Sequence, residues 1–144
     1  MNEVAMAAPT WFWIVVAVFI LWSLMGCWAC YSQLTITPEK LAALPDAQRD
    51  AWTAQPGLVK FAYVVAVGAG LAGALLLAAR MDAARWAFVA SLVAVVIQFG
   101  WFFGPYRGGQ KLGWGTAGFP LFIVAMCVIQ IWFTCFAAAK GWIG

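Results

Sequence analysis

Phe119–Ala139 reads FPLFIVAMCVIQIWFTCFAAA and carries no charged residue. A helix of about 18 or more apolar residues is long enough to cross the hydrocarbon of a bilayer. Three other stretches have the same character: Trp11–Tyr31, Leu58–Ala79 and Trp86–Phe103. The one charge inside their limits is Lys60, in the first turn of Leu58–Ala79, where a long side chain reaches the interface. Charged residues make up 9% of the chain and hydrophobic residues 66%, whereas soluble domains are about 25% charged. A water-soluble fold of this size has nowhere to hide so much apolar surface. The sequence therefore predicts an all-α protein, an antiparallel four-helix transmembrane bundle. It forms a single integral membrane domain over 1–144, with spans near 10–33, 57–79, 84–104 and 117–139.

The connections carry their own signals. Thr10, after Pro9, is placed to cap the first span. The stretch Met1–Pro9 holds Glu3 and no Lys or Arg, and the run after it exceeds the usual apolar core of a secretory signal, so it is not read as one. Thr37-Pro38-Glu39-Lys40 has the form of a helix start: a cap, a proline in the first turn, and an acid near the positive helix end. Pro45-Asp46 offers a second start. One or two short interfacial helices are predicted here, with Leu41, Leu44 and Trp52 on the membrane side and Lys40, Gln48, Arg49 and Asp50 in water. Small residues four apart in the second span (Ala66/Gly70, Ala69/Gly73, Gly70/Ala74) predict a close helix contact within the chain. Arg80–Arg85 is a tight turn between spans two and three. The glycine-rich segment 104–120 contains no GxxxxGK[ST] motif. It reads as a flexible loop with Tyr106 and Trp114 at the interface, and Arg107 and Lys111 are its candidate contacts for an anionic lipid headgroup.

Chemistry is bounded mainly by what the sequence lacks. There is no histidine, which removes the commonest ligand for haem iron, zinc and copper. No carboxylate lies at membrane depth, so proton-coupled transport lacks its usual exchange site. A small scattered net charge of +3 gives no case for nucleic acid. No catalytic or metal-binding residue is assigned. The uncharged polar groups within the spans are Ser23, Ser91, Gln98, Gln130 and Thr134. Of these, Ser23, Gln98 and Gln130 read either as a polar path or as interhelical hydrogen-bond glue. No cofactor is predicted. Bound lipid is expected, and a quinone or carotenoid has no support beyond the internal Trp22 and Trp132.

Cys27-Trp28-Ala29-Cys30 is a C-x-x-C at the end of the first span, and Cys127 and Cys135 lie in the fourth. In motif and span count the chain is similar to quinone-linked disulfide oxidases and vitamin K epoxide reductases. That similarity makes Cys27 and Cys30 remote redox candidates. It lacks the loop dithiol of those proteins and a cation beside the thiols.

A broader likeness rests on Trp11-Phe12-Trp13-Ile14-Val15, on Leu21-Trp22-Ser23-Leu24-Met25-Gly26, and on Thr37-Pro38-Glu39-Lys40-Leu41-Ala42-Ala43-Leu44-Pro45. It continues through Gln48-Arg49 to the hairpin of spans two and three. Over most of its length the chain resembles a group of short bacterial four-span proteins, some of which carry a sugar-transporter label. The resemblance implies a location in the bacterial inner membrane, not an activity. Four spans put both termini on one side, and Arg80 and Arg85, flanking the shortest turn, favour the cytoplasm. Two functions are expected from these readings. The first is a non-catalytic accessory or scaffold subunit of a larger respiratory or photosynthetic type of membrane complex, or a homo-oligomer. The second is a small passive or facilitated transporter of a neutral solute. A quinone-linked thiol oxidoreductase is a distant third.

Overall fold

The computed structural model describes residues 8–144, apart from the side chain of Thr116. The reading of residues 1–7 as other than a signal lies outside the described residues. In chain order the helices are α1 (Thr10–Leu34), α2 (Pro38–Ala42), α3 (Asp46–Ala54), α4 (Gly57–Ala78), α5 (Ala84–Phe103), α6 (Gly108–Leu112) and α7 (Gly118–Ala139). A 3₁₀ turn over Trp114–Ala117 leads into α7. The four long helices, α1, α4, α5 and α7, are each apolar enough to cross a bilayer. Large side chains such as Trp28, Phe61, Trp86, Leu121 and Trp132 point outward from them. This is a multi-pass membrane protein with an antiparallel four-helix bundle.

Prolines set the starts of two spans. Pro56 precedes α4 in extended backbone, as Pro9 precedes α1. Thr10 is the first residue of α1 and makes no capping bond, contrary to its expected role. Pro9, at φ −70° and ψ 162°, is the cap, and its carbonyl accepts from the Phe12 N–H at 3.0 Å. Thr37 does cap α2, accepting from the Lys40 N–H at 3.2 Å with Pro38 in the first turn.

Packing in the bundle is uneven. α4 lies closest to α5, α1 packs on α4, and α5 packs on α7. The small-residue face of α4 makes this close approach, with Ala62, Ala66, Gly70, Gly73 and Ala74 buried. A Cβ on Gly73 would lie 2.7 Å from the Phe88 ring, so only glycine admits α5 at this distance. Ser91 crosses the same contact, its hydroxyl donating to the Ala66 carbonyl at 2.7 Å. By contrast, α1 and α7 meet mainly through aromatic rings. Phe133 of α7 stacks on Phe12 at 5.7 Å between centroids and meets Phe19 edge-on at 5.7 Å.

One end of the bundle is sealed. Phe12, Phe19, Phe88 and Phe133 fill it as a buried cluster. Residues after α7 fold back across that end through a left-handed Gly141, with φ 77°. The Arg80 Nε donates to the Trp142 carbonyl at 2.7 Å, and the Gly144 N–H donates to the Arg80 carbonyl at 3.0 Å. Ile143 is buried beneath this strap, and Trp142 packs edge-on against Trp11 at 5.1 Å. The start of α1, the Arg80–Arg85 turn and the end of α7 thus share one face of the protein.

Candidate functional site: an amide-lined cavity inside the bundle

The half of the bundle away from the strap has a smaller core, of Ala62, Ala66, Ala94, Val95 and Cys127, and is only partly filled. A cavity of about 360 Å³ lies among all four long helices, a volume typical of small-molecule sites. Three of its walls follow from helical spacing. Ser23, Gly26 and Ala29 face it from α1, Tyr63, Ala66 and Gly70 from α4, and Ser91, Val95 and Gln98 from α5. Each set steps by three or four residues, which keeps it on one face of its helix. From α7 come Phe119, Ile123, Cys127 and Gln130. No charged side chain lines the cavity.

Its deep end carries polar groups. Gln130 is 2% exposed and Ser23 is 5% exposed. The Nε2 of Gln130 and the Oγ of Ser23 are buried without a hydrogen-bond partner. Buried polar groups are nearly always paired, so an orphan calls for an explanation. Interhelical glue would place these atoms on a partner. The nearby Ser91 and Thr134 are satisfied, Ser91 by the Ala66 carbonyl and Thr134 by the Gln130 backbone carbonyl at 2.8 Å. Gly70 lies beside both serines: a Cβ there would sit 3.5 Å from the Ser91 Oγ and 3.8 Å from the Ser23 Oγ.

A second cavity, of about 370 Å³, adjoins the first, and Gln33 and Gln98 line both. It lies under α3, whose Gln48, Ala51 and Trp52 form part of its wall together with Gln55, Trp101, Phe102 and Leu112. α3 keeps Gln48 exposed, as expected, but turns Trp52 half-buried over this cavity instead of outward to the membrane surface. Its inner face covers the bundle mouth, and it packs on α6. One contact ties it to α4, and another fixes its first turn to the end of α2. The Lys60 ammonium sits 4.5 Å from the Trp52 ring centroid. Arg49 donates to the carbonyls of Ala42 and Leu44, both at 3.1 Å, and pairs with Asp46. Five glutamines (33, 48, 55, 98 and 130) therefore line these two adjoining cavities, which lie between the α3 face and mid-bundle.

The structure thus brings Ser23, Gln98 and Gln130 to one cavity, with Gln98 at the neck and the other two at the floor. Tyr63, Gln33 and Gln55 were not singled out in the sequence, and Gln48 was expected only to face water. The Tyr63/Ala66/Gly70 spacing is the signal that places Tyr63 on the same face as the small residues of α4. The glutamines near the interface carry no such signal, because a polar residue at a helix end needs no explanation.

Other candidates fall elsewhere. The glycine-rich connection is folded into α6 and the 3₁₀ turn instead of forming a plain flexible loop. Its glycines admit aromatic rings: a Cβ on Gly108 would collide with Phe102, and one on Gly109 would lie 2.6 Å from Trp114. Tyr106 is buried, not interfacial, and stacks on Trp101 at 5.0 Å. Desolvation raises its phenol pKa, and the Asp50 carboxylate adds to the rise. The Lys111 ammonium lies 4.0 Å from the Tyr106 ring centroid, and Arg107 is exposed in the left-handed region at φ 59°. The Cys27 thiol donates to the Val67 carbonyl at 3.6 Å, and neither Cys27 nor Cys30 lines the cavity. One thiol does have a cation beside it, against expectation: the Arg85 Nη1 is 4.0 Å from the Cys135 Sγ. Among the described residues no group of three or more His, Cys, Asp or Glu is placed to hold a metal ion.

Comparison with protein-family models, with curated proteins and with solved structures returns no match. The class of protein rests on the fold, and the function rests on the cavity.

Proposed function

We propose that this chain is a transporter of a small neutral solute in the bacterial inner membrane, and that the solute is bound at the floor of the bundle cavity. The observation that carries this reading is a pair of buried polar groups without partners, Ser23 Oγ and Gln130 Nε2, on two residues that line a cavity large enough for a ligand. A neutral ligand is favoured because an isolated charge is costly to bury away from water, and no counter-charge lines the walls. The aromatic seal on the strap side makes the route one-sided, which suits a carrier that alternates better than an open pore. We place the strap face in the cytoplasm, on the strength of Arg80 and Arg85 beside a short turn. An accessory subunit of a larger complex, or a homo-oligomer, ranks second, since a scaffold has no use for orphaned donors around a space of this size.

The test is binding and uptake of labelled neutral solutes of graded polarity, from urea and a monosaccharide to a medium-chain ketone. At least one must bind saturably to the purified protein and enter or exchange across proteoliposomes faster than across protein-free ones. A carboxylate of similar shape must not bind, and Gln130→Leu must weaken binding at least tenfold. If Gln130→Leu binds the same solutes as well as the parent, the cavity floor has no part in the function. A fixed-ratio partner recovered from native membranes, with no solute bound by the pure chain, would return the subunit reading to first place.

A further inference from the structure

The cavity has a second door. Along its outer side, between α1 and α7, the wall consists of side chains that also face the surroundings of the bundle. Met25 of α1 and Phe119 of α7 line the cavity and are nevertheless 63% and 65% exposed. The backbones of α1 and α7 do not close this side, as those of α4 and α5 close theirs. It is spanned by rings, with Trp22 lying 5.4 Å from Phe122 and 6.4 Å from Phe119 between centroids. Trp22, Met25 and Phe122 lie inside the membrane-spanning helices and Phe119 in the first turn of α7, so the window faces the bilayer from its interface inward.

From this geometry we infer that the ligand of the cavity is a neutral amphiphile, a carbonyl or hydroxyl head on a hydrocarbon chain, which exchanges with the bilayer through the Trp22–Phe119 window. The inference rests on the proposed function and narrows its solute. The head is specified by the floor. Gln130 Nε2 donates, so the ligand supplies an acceptor, and the Ser23 hydroxyl offers either a donor or an acceptor to the same head. The body is specified by the walls, where Val67, Val95, Phe99 and Ile123 offer only apolar surface. From Gln130 to Phe119 the rise along α7 is roughly 16 Å, at about 1.5 Å per residue. A chain anchored at the floor therefore runs out of the window into lipid. The amide-lined neck at Gln33 and Gln98 is the other exit, toward the aqueous face under α3. A ligand with one polar and one apolar part suits a cavity with one door of each kind.

Photoaffinity labelling of the whole protein in nanodiscs separates the alternatives. The probe is a long-chain 2-ketone with a diazirine part-way along the chain, at the depth of the rim; its control is the short-chain homologue with the same head. The long probe is expected to label the rim, at Met25, Phe119 or Phe122, saturably and in competition with unlabelled ketone. Labelling falls at least tenfold in Gln130→Leu. It also falls in Met25→Trp, which narrows the window from an exposed position, while the short probe is unaffected by that change. Long-probe labelling that is unsaturable, spread over all lipid-facing surfaces, or unchanged in Gln130→Leu overturns the inference. Saturable labelling by the short probe alone overturns it too, but leaves the proposed function standing. If neither probe labels saturably and the solutes of graded polarity do not bind, both fall.

Discussion

Replacing Gln130 by leucine separates a ligand site from a structural hydrogen bond by the sign of a stability change. The side chain is 2% exposed and its Nε2 has no partner. An unsatisfied buried donor costs about 1–3 kcal/mol. Water in a polar cavity returns part of that cost. Leucine, of similar length, removes the orphan without introducing another polar group. The Thr134 hydroxyl bonds the backbone carbonyl of residue 130, so that bond survives the substitution. Gln130→Leu is therefore expected to stabilise the empty protein by roughly 1 kcal/mol, while weakening ligand binding. The assay is reversible unfolding in mixed micelles of dodecyl maltoside and increasing dodecyl sulfate, followed by circular dichroism and extrapolated linearly. Interhelical hydrogen bonds in membrane proteins contribute on average about 0.6 kcal/mol and at most about 1.7 kcal/mol. A loss of stability of about 0.6 kcal/mol or more would mean that the amide holds helices together, and the argument for a ligand at the floor would collapse.

The remaining predictions concern packing and titration. Gly73→Ala drives a methyl to within 2.7 Å of the buried Phe88 ring and should cost about 1–3 kcal/mol in the same assay; an unchanged midpoint would mean that α4 and α5 are not this close. Ser91→Ala removes the bond to the Ala66 carbonyl and should cost about 0.6 kcal/mol; a gain in stability would contradict that bond. Burial and then the Asp50 charge raise the Tyr106 phenol above its ordinary 10.0. The stability tied to the neutral phenol is complete below that pH and is lost as the pH climbs through the raised value. The phenolate absorbance difference against Tyr106→Phe should therefore appear only above pH 10.0, and ionisation at the ordinary value would mean an exposed ring.

Much of this architecture could be read from the sequence because a bilayer imposes simple rules. Exclusion of charge over about 18 or more residues, and prolines or a threonine at helix starts, fix the helices one at a time. Their pairing is less legible. The small residues of α4 announce a close neighbour, but only the Phe88 ring against Gly73 shows that the neighbour is α5. The cavity was half legible. Ser23, Gln98 and Gln130 stand out because amides and hydroxyls are scarce among apolar residues, yet sequence cannot say whether such groups find each other or are left over. That depends on the distance between α1 and α7, which aromatic side chains hold open. The fate of α3 was hidden for another reason: an amphipathic helix has the same pattern whether its apolar face meets lipid or a bundle mouth.

The strap over the sealed end has a mechanical consequence. Arg80 grips the backbone of residues 142 and 144, so the tail of the last helix is moored to the turn joining the two helices beside it. Toward its opposite tip that helix meets α1 only through rings. A rod pinned at one extremity can swing only about the pin, and the width of its sweep grows with distance from it. The bundle is thus built like a clothes-peg, with its spring among the phenylalanines and its jaws at the level of Trp22 and Phe119.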